Sequence, residues 1–519
     1  MLYSLNASAI TEVNNGANAI SAMQKNHFDI VLCDYNLGPG KNGLQILEEA
    51  KARKYLPYST VFIMITAEQT PGMVLGAMDN KPDEYLAKPF TTRQLLTRIE
   101  RNINRKAYLA EVEKEKDKNN IPQAIKLCEK LLQSGDRKMQ SQLLKLRAEL
   151  AINIGDYEHA KLLYEDILKH RQLTWAMLGL GSIHVLQGNF EQAISLLEAV
   201  ISENPMMMEA YDWLTKAFLA NKQSPEAEEI LISAIKLSPL AILRQQKLAN
   251  VAEKTGNIEI ATKAYEAAIN LGEHSIHKQA SDFSGLAKLY NSHYSSQKAQ
   301  KVINKMRKEF NSNPESELRS AILETSIFDK TEDLESAGQA FERAKALHNQ
   351  LPNIAKELHL DMAETCYLKN DPELAEQIIN RLIKNHIEDD HFIDAIKAMH
   401  QGLGKDDHVE TLIKKTRQEL VEINNKGVNL FKKGQLSEAI LLLEQAMEKM
   451  PGNKTIILNI TKILIQDIRV SGISKNKIAR IQKYINQAEK SGADLAKIAV
   501  IKQQLNKAIQ RQKLDTPHV

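Results

Sequence analysis

The stretch F-D-I-V-L-C-D, residues 28–34, decides the fold of the first part of this chain. Four consecutive apolar residues, 30–33, end abruptly at the carboxylate of Asp34. A short apolar run between polar turn residues is typical of a buried strand in a parallel sheet. Open sheets of alternating strands and helices place their chemistry just beyond the carboxyl ends of such strands. The sequence therefore predicts that Asp34 stands at a functional edge.

The same reasoning extends outward from this strand. Two further buried strands are predicted, T-V-F-I-M-I-T at residues 60–66 and a short run at residues 84–87. A β-prone piece at residues 9–13 is predicted to form another short strand. Helical patterns separate the strands and lie at residues 17–25, from Gly43 onward, at residues 71–78 and at residues 91–105. Strands that alternate with helices indicate a parallel, doubly wound sheet.

Polar side chains stand at the ends of three successive predicted strands, namely Asp34, Thr66 and Lys88. Because the carboxyl ends of parallel strands meet at one edge of a sheet, we expect these side chains to lie close together. The carboxylate of Asp34 would accept a phosphoryl group as a nucleophile, and Lys88 and Thr66 would contact the phosphoryl oxygens. The simpler alternative is that each polar residue only ends a buried strand.

These segments resemble the receiver domain of two-component response regulators. The resemblance rests on V-L-C-D-Y-N-L around Asp34, I-M-I-T-A at residues 63–67 and D-E-Y-L-A-K-P-F at residues 83–90. It implies an α/β flavodoxin-like fold with Asp34 as the phosphoacceptor, and Mg²⁺ held by Asp34 and by the main-chain carbonyl of Asn36. It also implies that the bond between Lys88 and Pro89 is cis. The residues to which it assigns phosphoryl-binding and switch roles are Thr66, Ala67, Tyr85, Lys88 and Pro89.

One part of the receiver pattern is missing at the start of the sequence. A receiver begins with a strand that ends in an acidic pair, and this pair supplies the other Mg²⁺ ligands. The chain instead begins with M-L-Y-S-L, which resembles the tail of the first helix, and Glu12 is the only acid before Asp29. Either the start is assigned too late or the receiver is truncated. The acidic pair is absent from the chain as numbered, so the Mg²⁺ site is expected to be incomplete.

The rest of the chain carries an internal repeat. The phrases G-D-Y-E-H-A, G-N-F-E-Q-A and G-N-I-E-I-A end at Ala160, Ala193 and Ala261, and Ala227 falls between the last two. The steps of 33, 34 and 34 residues match tetratricopeptide repeats (TPRs), each built from two helices. Weaker copies centre on Ala124, Ala299, Ala337, Ala375 and Ala439. This resemblance implies an all-α superhelical solenoid.

The expected organisation is a receiver at residues 1–105, TPR-like repeats at residues 106–470, and a C-terminal helical pair with a capping helix at residues 471–519. Residues 106–117 are charge-rich but contain no Gly, Pro or Ser, so we expect a continuous helix at the junction. Trp175 and Trp213 fall in first helices of repeats, where they would either anchor a peptide or pack into the core.

Composition argues against several classes of function. Basic and acidic residues, 68 and 65, leave a net charge of +3, which gives no support to a nucleic-acid partner. No apolar run approaches the ~20 residues that a membrane-spanning helix needs. The three cysteines lie far apart and are expected to be free thiols in a reducing cytoplasm. No catalytic motif is found, and His386 and His391 are expected in a solvated turn rather than a metal site.

The sequence therefore predicts a non-enzymatic response regulator in two-component (phosphorelay) signal transduction. A histidine kinase or a phosphotransfer protein would phosphorylate Asp34, and the TPR groove would bind a protein or peptide that the sequence does not identify. The alternative is a phosphorylation-independent scaffold, or a kinase-sequestering adaptor with a degenerate receiver. A transcription regulator is disfavoured because no recognition-helix module follows the receiver.

Overall fold

The computed structural model describes residues 9–67, 76, 80–118, 120–135, 138–351 and 353–491, and scattered positions between 493 and 508. The chain divides into two compact units. The first comprises Met1–Ile152 and Asp156–Met306, and the second comprises Asn153–Gly155 and Arg307–Val519. No helix in the described part of the chain is both long enough and apolar enough to span a membrane.

The first unit begins with a small parallel sheet. Its strands are β1 (Ile30–Asp34), β2 (Val61–Thr66) and β3 (Glu84–Ala87), in the order β1-β2-β3. Helices α1 (Gly16–Lys25) and α2 (Gly43–Ala52) pack on one face, and α3 (Thr92–Asp117) packs on the other. Successive strand residues point to opposite faces of the sheet and pack in two apolar clusters. One cluster contains Cys33, Phe62 and Met64, and the other contains Ile63, Leu95 and Ile99.

The strand predicted at residues 9–13 does not form, so that prediction is wrong. These residues have no regular secondary structure. In a flavodoxin-like sheet this strand pairs only with the first strand of the fold, and no such partner lies among the described residues. A strand without a partner leaves its backbone groups unpaired. The helix predicted at residues 71–78, apart from Gly76, and the opening residues 1–5 lie outside the described residues.

Helix α3 is continuous through the junction, as the sequence predicts. It runs for 26 residues from a capping box in which the Thr91 hydroxyl accepts a hydrogen bond from the backbone N–H of Gln94. Lys106, on the same helix, is buried. Its Nζ donates to the carboxylate of Asp83, 2.7 Å away, and to the carbonyl of Thr60. Burial lowers the pKa of Lys106, and Asp83 opposes that shift. The junction helix is thereby tied to the sheet.

Antiparallel helix pairs follow in both units. Those of the first unit are α4 (Ile121–Gln133), α5 (Gln140–Asn153), α6 (Tyr157–His170), α7 (Thr174–Gln187), α8 (Phe190–Glu203), α9 (Met208–Ala220), α10 (Ser224–Leu237), α11 (Ile242–Thr255), α12 (Ile258–Leu271), α13 (Ala280–Leu289), which a short π-helix (Tyr290–Tyr294) extends, and α14 (Ser296–Glu309). Those of the second unit are α15 (Pro314–Lys330), α16 (Leu334–Gln350), α17 (Lys356–Leu368), α18 (Pro372–His386), α19 (Asp390–Gly402), α20 (Asp406–Lys432), α21 (Leu436–Lys449), α22 (Lys454–Ser471) and α23 (Lys475–Lys490).

The predicted repeat alanines all lie at tight helix contacts. Every one of the nine is at most 1 % exposed: Ala124, Ala160, Ala193, Ala227, Ala261, Ala299, Ala337, Ala375 and Ala439. The glycine that opens the repeat phrase ends the preceding helix. Gly188 and Gly256, for example, adopt left-handed φ angles of 82° and 80°, which glycine adopts without strain. The prediction of TPR-like helix pairs is confirmed.

The residue four positions after the repeat alanine contacts a glycine on a facing helix. Leu197 packs against Gly181, and the larger Tyr164 packs against Gly179. A Cβ atom on Gly179 would lie 2.3 Å from Cζ of Tyr164, so only glycine fits without a shift. The same arrangement recurs where Tyr265 meets Gly285. At each of these contacts a glycine on the facing helix makes room for the side chain at this repeat position.

The second unit holds a buried pair of histidines. Nε2 of His348 lies 2.8 Å from Nδ1 of His359, and both side chains are buried. Burial, with a contribution from Arg381, lowers the pKa of His348. Burial, followed by the charges of His348 and Arg381, lowers the pKa of His359 to about 4. Both rings are therefore neutral near pH 7.

A third histidine of the second unit corrects a prediction. His386 ends α18, and its ring lies 5.4 Å from that of Phe392. Burial is the main cause that lowers its pKa, to about 4. The expectation of a solvated turn is therefore wrong for His386, which ends a helix and is half-buried, although His391 is exposed. Among the described residues no three histidine, cysteine or acidic side chains come close enough to hold a metal ion.

Candidate functional site

Asp34 is the last residue of β1 and lies at the carboxyl edge of the sheet. It faces Ile65 in the parallel register of β1 and β2. Its side chain is 33 % exposed, so the carboxylate is accessible although the strand behind it is packed. The backbone N–H of Asn36 donates to Oδ1 of Asp34 over 3.2 Å. A half-exposed carboxylate at this place is positioned to meet a ligand from solution.

Lys88 and Asp34 are in direct contact. Nζ of Lys88 forms an ion pair with Oδ2 of Asp34, although 54 residues separate them in the sequence. Lys88 stands one residue beyond β3, and its backbone N–H donates to the carbonyl of Thr66 over 2.7 Å. The bond between Lys88 and Pro89 is cis. The structure thus brings the predicted lysine to the predicted carboxylate.

Thr66 completes the edge at the end of β2. It follows Ile65, the register partner of Asp34, and itself pairs with Ala87 of β3. Its side chain is only 2 % exposed. Asp34, Thr66 and Lys88 therefore occupy the ends of three neighbouring strands, as expected from the sequence.

The remaining predicted switch residues surround this edge. Ala67 and Pro89 are exposed beside Thr66 and Lys88. Tyr85 lies on β3, opposite Met64, and is half-buried in the apolar cluster between the sheet and α2. Cys33, next to Asp34, belongs to the same cluster, and burial raises the pKa of its thiol to about 12. Tyr85 therefore packs against the layer that also supports β1.

The loop after Asp34 returns tightly to the sheet. The backbone N–H of Gly43 donates to the carbonyl of Tyr35 over 2.9 Å. A Cβ atom on Gly43 would lie 2.4 Å from the carbonyl oxygen of Asp34. Only glycine can begin α2 this close to the strand. Helix α2 is consequently anchored directly on the Asp34 loop.

The donors at this edge do not form a complete Mg²⁺ site. Mg²⁺ in proteins takes oxygen ligands in octahedral geometry, supplied by one or two carboxylates together with water and substrate phosphates. In the described part of the chain only Asp34 and the carbonyl of Asn36 are candidates, and no cluster of three ligating side chains is present. Both oxygens of Asp34 are already engaged, by Lys88 and by the N–H of Asn36. The described residues therefore do not fit the metal.

Sequence reasoning missed how the Asp34 loop reaches the repeats. Asn42 caps α2 in a reciprocal pair with Gln45, at 3.0 and 3.1 Å. The same Gln45 side chain donates from Nε2 to the carbonyl of Leu271, the last residue of α12, over 3.3 Å. One turn further, Oε2 of Glu48 accepts from the hydroxyl of Ser275 over 3.2 Å. Partners 226 and 227 residues apart leave no local signal in the sequence.

The two tryptophans have different surroundings. Trp175 is half-buried, and its ring meets that of Tyr164 edge-on at 6.1 Å, so it packs with the core of its repeat. Trp213 is also half-buried. Its ring lies under the ammonium of Lys216 at 4.1 Å, on a helix that lines a cavity of the first unit.

Comparison with known families agrees with this architecture. Residues 1–100 match the family model of the response regulator receiver domain, and residues 184–250 match that of the tetratricopeptide repeat. Receiver domains usually bind Mg²⁺ and typically interact with histidine kinases, tetratricopeptide repeats imply protein partners, and both are generally non-catalytic.

Several solved structures resemble parts of the chain. A tetratricopeptide repeat protein from Parabacteroides merdae is 15 % identical, with a TM-score of 0.31, over 52 % of this chain and 98 % of that one. The C-terminal part of a TPR repeat-containing protein from Cytophaga hutchinsonii is 13 % identical, with a TM-score of 0.38, over 48 % and 97 %. MamA of Desulfovibrio magneticus RS-1, from residue 41 to its end, is 21 % identical, with a TM-score of 0.27, over 33 % and 93 %. The family matches and the fold together show that this chain carries a response regulator receiver domain followed by tetratricopeptide repeats.

Proposed function

We propose that this chain is a response regulator of a two-component (phosphorelay) system, with a phosphoryl-accepting receiver and a protein-binding repeat array. The observation that carries the proposal is the convergence of Asp34, Thr66 and Lys88 at one edge of the sheet, with Lys88 already paired to Asp34. The carboxylate of Asp34 is 33 % exposed at the end of its strand, so a phosphoryl donor can reach it.

The proposed reaction is transfer from a phosphohistidine to Asp34. The N–P bond of the donor breaks, and a carboxylate oxygen of Asp34 forms the new O–P bond. The imidazole nitrogen keeps the electron pair of the broken bond and takes a proton from solvent. A histidine kinase or a phosphotransfer protein would be the donor. We place this event in the cytoplasm, which suits the three buried free cysteines.

Lys88 and Thr66 would respond to the added charge. A phosphoryl group brings strong acceptor oxygens and about −1.5 to −2 charges. Lys88 would move its ammonium from Oδ2 of Asp34 to a phosphoryl oxygen, and the Thr66 hydroxyl would donate to another. Ala67 leaves room beside Thr66, and Tyr85 would follow the movement from its half-buried position. These assignments constitute the proposed switch.

The proposed output is a protein–protein interaction of the repeats. The division that we propose assigns residues 1–105 to the receiver, 106–470 to TPR-like repeats and 471–519 to a C-terminal helical pair with its cap. Continuous helix α3 and the contacts of Gln45 and Glu48 with Leu271 and Ser275 support a direct path from the receiver to the repeats. No catalytic role is proposed for either part.

The test uses phosphoramidate, a small donor with an N–P bond. The purified full-length chain would be incubated with and without added MgCl₂ and followed by intact mass and by Phos-tag electrophoresis. We expect a gain of one phosphoryl group in the wild type and in the Asp29→Asn control, an exposed acid of the same segment. The gain should be lost in Asp34→Asn and slowed in Lys88→Ala. A modified band that persists in Asp34→Asn would refute the assignment.

A second candidate function is a phosphorylation-independent scaffold or kinase-sequestering adaptor. It is favoured by the incomplete set of Mg²⁺ donors in the described residues and by the ion pair that occupies Asp34. This alternative predicts no modification under any of these conditions, with or without Mg²⁺, while the folded chain still binds its partners.

A further inference from the structure

The receiver and the repeats both line an open cavity of about 900 Å³ in the first unit. Leu44 and Glu48 of α2 and the nearby Lys81 form one wall. Most of the other lining residues come from α9, α11 and the turns that precede these two helices. Lys145 of α5 and His277, which precedes α13, complete the lining. A ligand in this cavity would therefore contact the receiver and the repeats together.

The charges in the lining are not balanced. The cations are Lys81, Lys145, Lys216, Arg244 and Lys247, and the acids are Glu48, Glu209 and Asp212. Each of the three acids already forms an ion pair or accepts a hydrogen bond. Glu209 pairs with Lys81, Asp212 accepts two hydrogen bonds of 2.8 Å from Arg244, and Glu48 accepts from Asn80 and Ser275.

Three lysines of the described lining are left without an ion-pair partner. In the part of the chain that the structure describes, Lys145, Lys216 and Lys247 form no ion pair with a carboxylate. Lys216 lies over the ring of Trp213. The pKa of Lys247 is lowered, first by desolvation and then by the ammonium groups of Lys216 and Lys254, with only Asp212 opposing. An anion beside Lys216 and Lys247 would relieve their mutual repulsion.

Apolar side chains adjoin these lysines. Met206 is 44 % exposed and Leu243 is 54 % exposed, although both are large hydrophobic residues. Both line the cavity, with Met208, Leu240 and Ile242 beside them. Methionine adapts its shape to different apolar partners. Apolar side chains next to lysines that form no direct ion pair favour a ligand that is both acidic and amphipathic.

Nucleic acid fits this lining less well. The described residues of the lining include the ring of His277 but no phenylalanine, tyrosine or tryptophan on which a base can stack, and the net charge of the whole chain is only +3. A protein segment supplies carboxylates for the lysines and apolar side chains for Met206 and Leu243. The lining therefore favours a protein segment over a nucleic acid.

We propose that this cavity binds an acidic, amphipathic segment of a partner protein. Its carboxylates pair with Lys145, Lys216 and Lys247, and its apolar side chains pack on Met206 and Leu243. The inference rests on the proposed function, because it specifies the chemistry of the partner that the repeats bind. Since Leu44 and Lys81 of the receiver line the same cavity, binding there is linked to the state of the receiver.

The test is fluorescence anisotropy with the full-length chain. The probe is a fluorescein-labelled peptide of alternating Glu and Leu, and its partner probe carries Gln in place of Glu. We expect the Gln peptide to bind about tenfold more weakly, and added salt to weaken the Glu peptide. The Lys216→Gln/Lys247→Gln double variant should lose about tenfold in affinity for the Glu peptide. The control Lys236→Gln removes an exposed lysine of α10 outside the cavity and should bind as the wild type does.

Three results would overturn the inference. They are the absence of binding by the wild type, full affinity in the double variant, and a single-stranded oligonucleotide that binds more tightly than the peptide through the same two lysines. Circular dichroism of each variant would establish that it is folded. Repeating the titration with Asp34→Asn separates this inference from phosphorylation, since the unmodified cavity should still bind the peptide there.

Discussion

Replacing Gly179 with alanine should destabilise the first unit, because α7 passes against a fixed tyrosine ring. The added Cβ would lie 2.3 Å from Cζ of Tyr164 and 2.6 and 2.7 Å from its two Cε atoms. The ring is 3 % exposed and is held edge-on by Trp175. Carbon atoms normally approach to about 3.5–4.0 Å, so the ring or the helix must move by roughly 1 Å.

Two opposing effects set the change in the free energy of unfolding that Gly179→Ala causes. Alanine in place of glycine stabilises a helix interior by about 0.5–1 kcal/mol. Overpacking of a well-packed core costs about 1–3 kcal/mol. Because the overlap at Gly179 is with three ring atoms, we take the upper part of that range and expect a net loss of about 1–2 kcal/mol.

The matched control is Gly338→Ala in α16 of the second unit. A Cβ atom there would have no neighbouring atom within 4 Å. The same substitution should therefore stabilise that helix by about 0.5–1 kcal/mol. Urea unfolding followed by circular dichroism measures the sign of each change. Hydrogen exchange of the peptides from α6, α7 and α16 locates each effect, since repeat arrays open locally.

A double-mutant cycle tests the cause. The substitution Tyr164→Leu removes the ring atoms that the added methyl group would meet, and leucine stands at the equivalent position 197. In the Tyr164→Leu background, Gly179→Ala should become neutral or stabilising. The reasoning fails if Gly179→Ala costs nothing in the wild type, or costs the same in both backgrounds.

Two more predictions concern acid and the repeat turns. As pH falls below 6.5, the unfolded chain binds a proton that the neutral, buried His359 does not bind until about pH 4. The second unit should thus lose stability between those values, by at most about 3 kcal/mol. Urea midpoints across this range check it, and an unchanged midpoint in the wild type would contradict it. Gly188→Ala should lower the free energy of unfolding by about 1–2 kcal/mol, because φ at this position is 82°, a left-handed angle that strains alanine. Among the described residues the added Cβ atom would meet no other atom within 4 Å, so the backbone angle alone causes this loss. Thermal melting checks this loss, and an unchanged melting temperature would argue against backbone strain there.

The repeat architecture could be predicted because its signals are local. Ala160, Ala193, Ala227 and Ala261 recur at one spacing, and each is small for the same reason, the close contact of two helices. The strand ends at Asp34, Thr66 and Lys88 could also be predicted, since each follows its own apolar run. Local periodicity is enough for both.

The wrong prediction at residues 9–13 has the opposite cause. A β-prone sequence forms a strand only when a neighbouring strand accepts its hydrogen bonds. The described sheet begins at β1, and these residues have no partner in it. His386 was misjudged in a similar way, because the packing of Phe392 against its ring cannot be read from the acidic residues that follow it.

The sequence by itself determined the two fold types, their order and the residues that meet at the sheet edge. These follow from helical and strand periodicity and from the rule that parallel strands end together. Only the tertiary structure decided that Gln45 and Glu48 reach Leu271 and Ser275, and that Lys145, Lys216 and Lys247 share one cavity. Those contacts depend on how successive helix pairs stack and on where the receiver packs against them. The relative position of two distant segments depends on the packing angles of all the helices between them. No pattern within a single segment encodes that position.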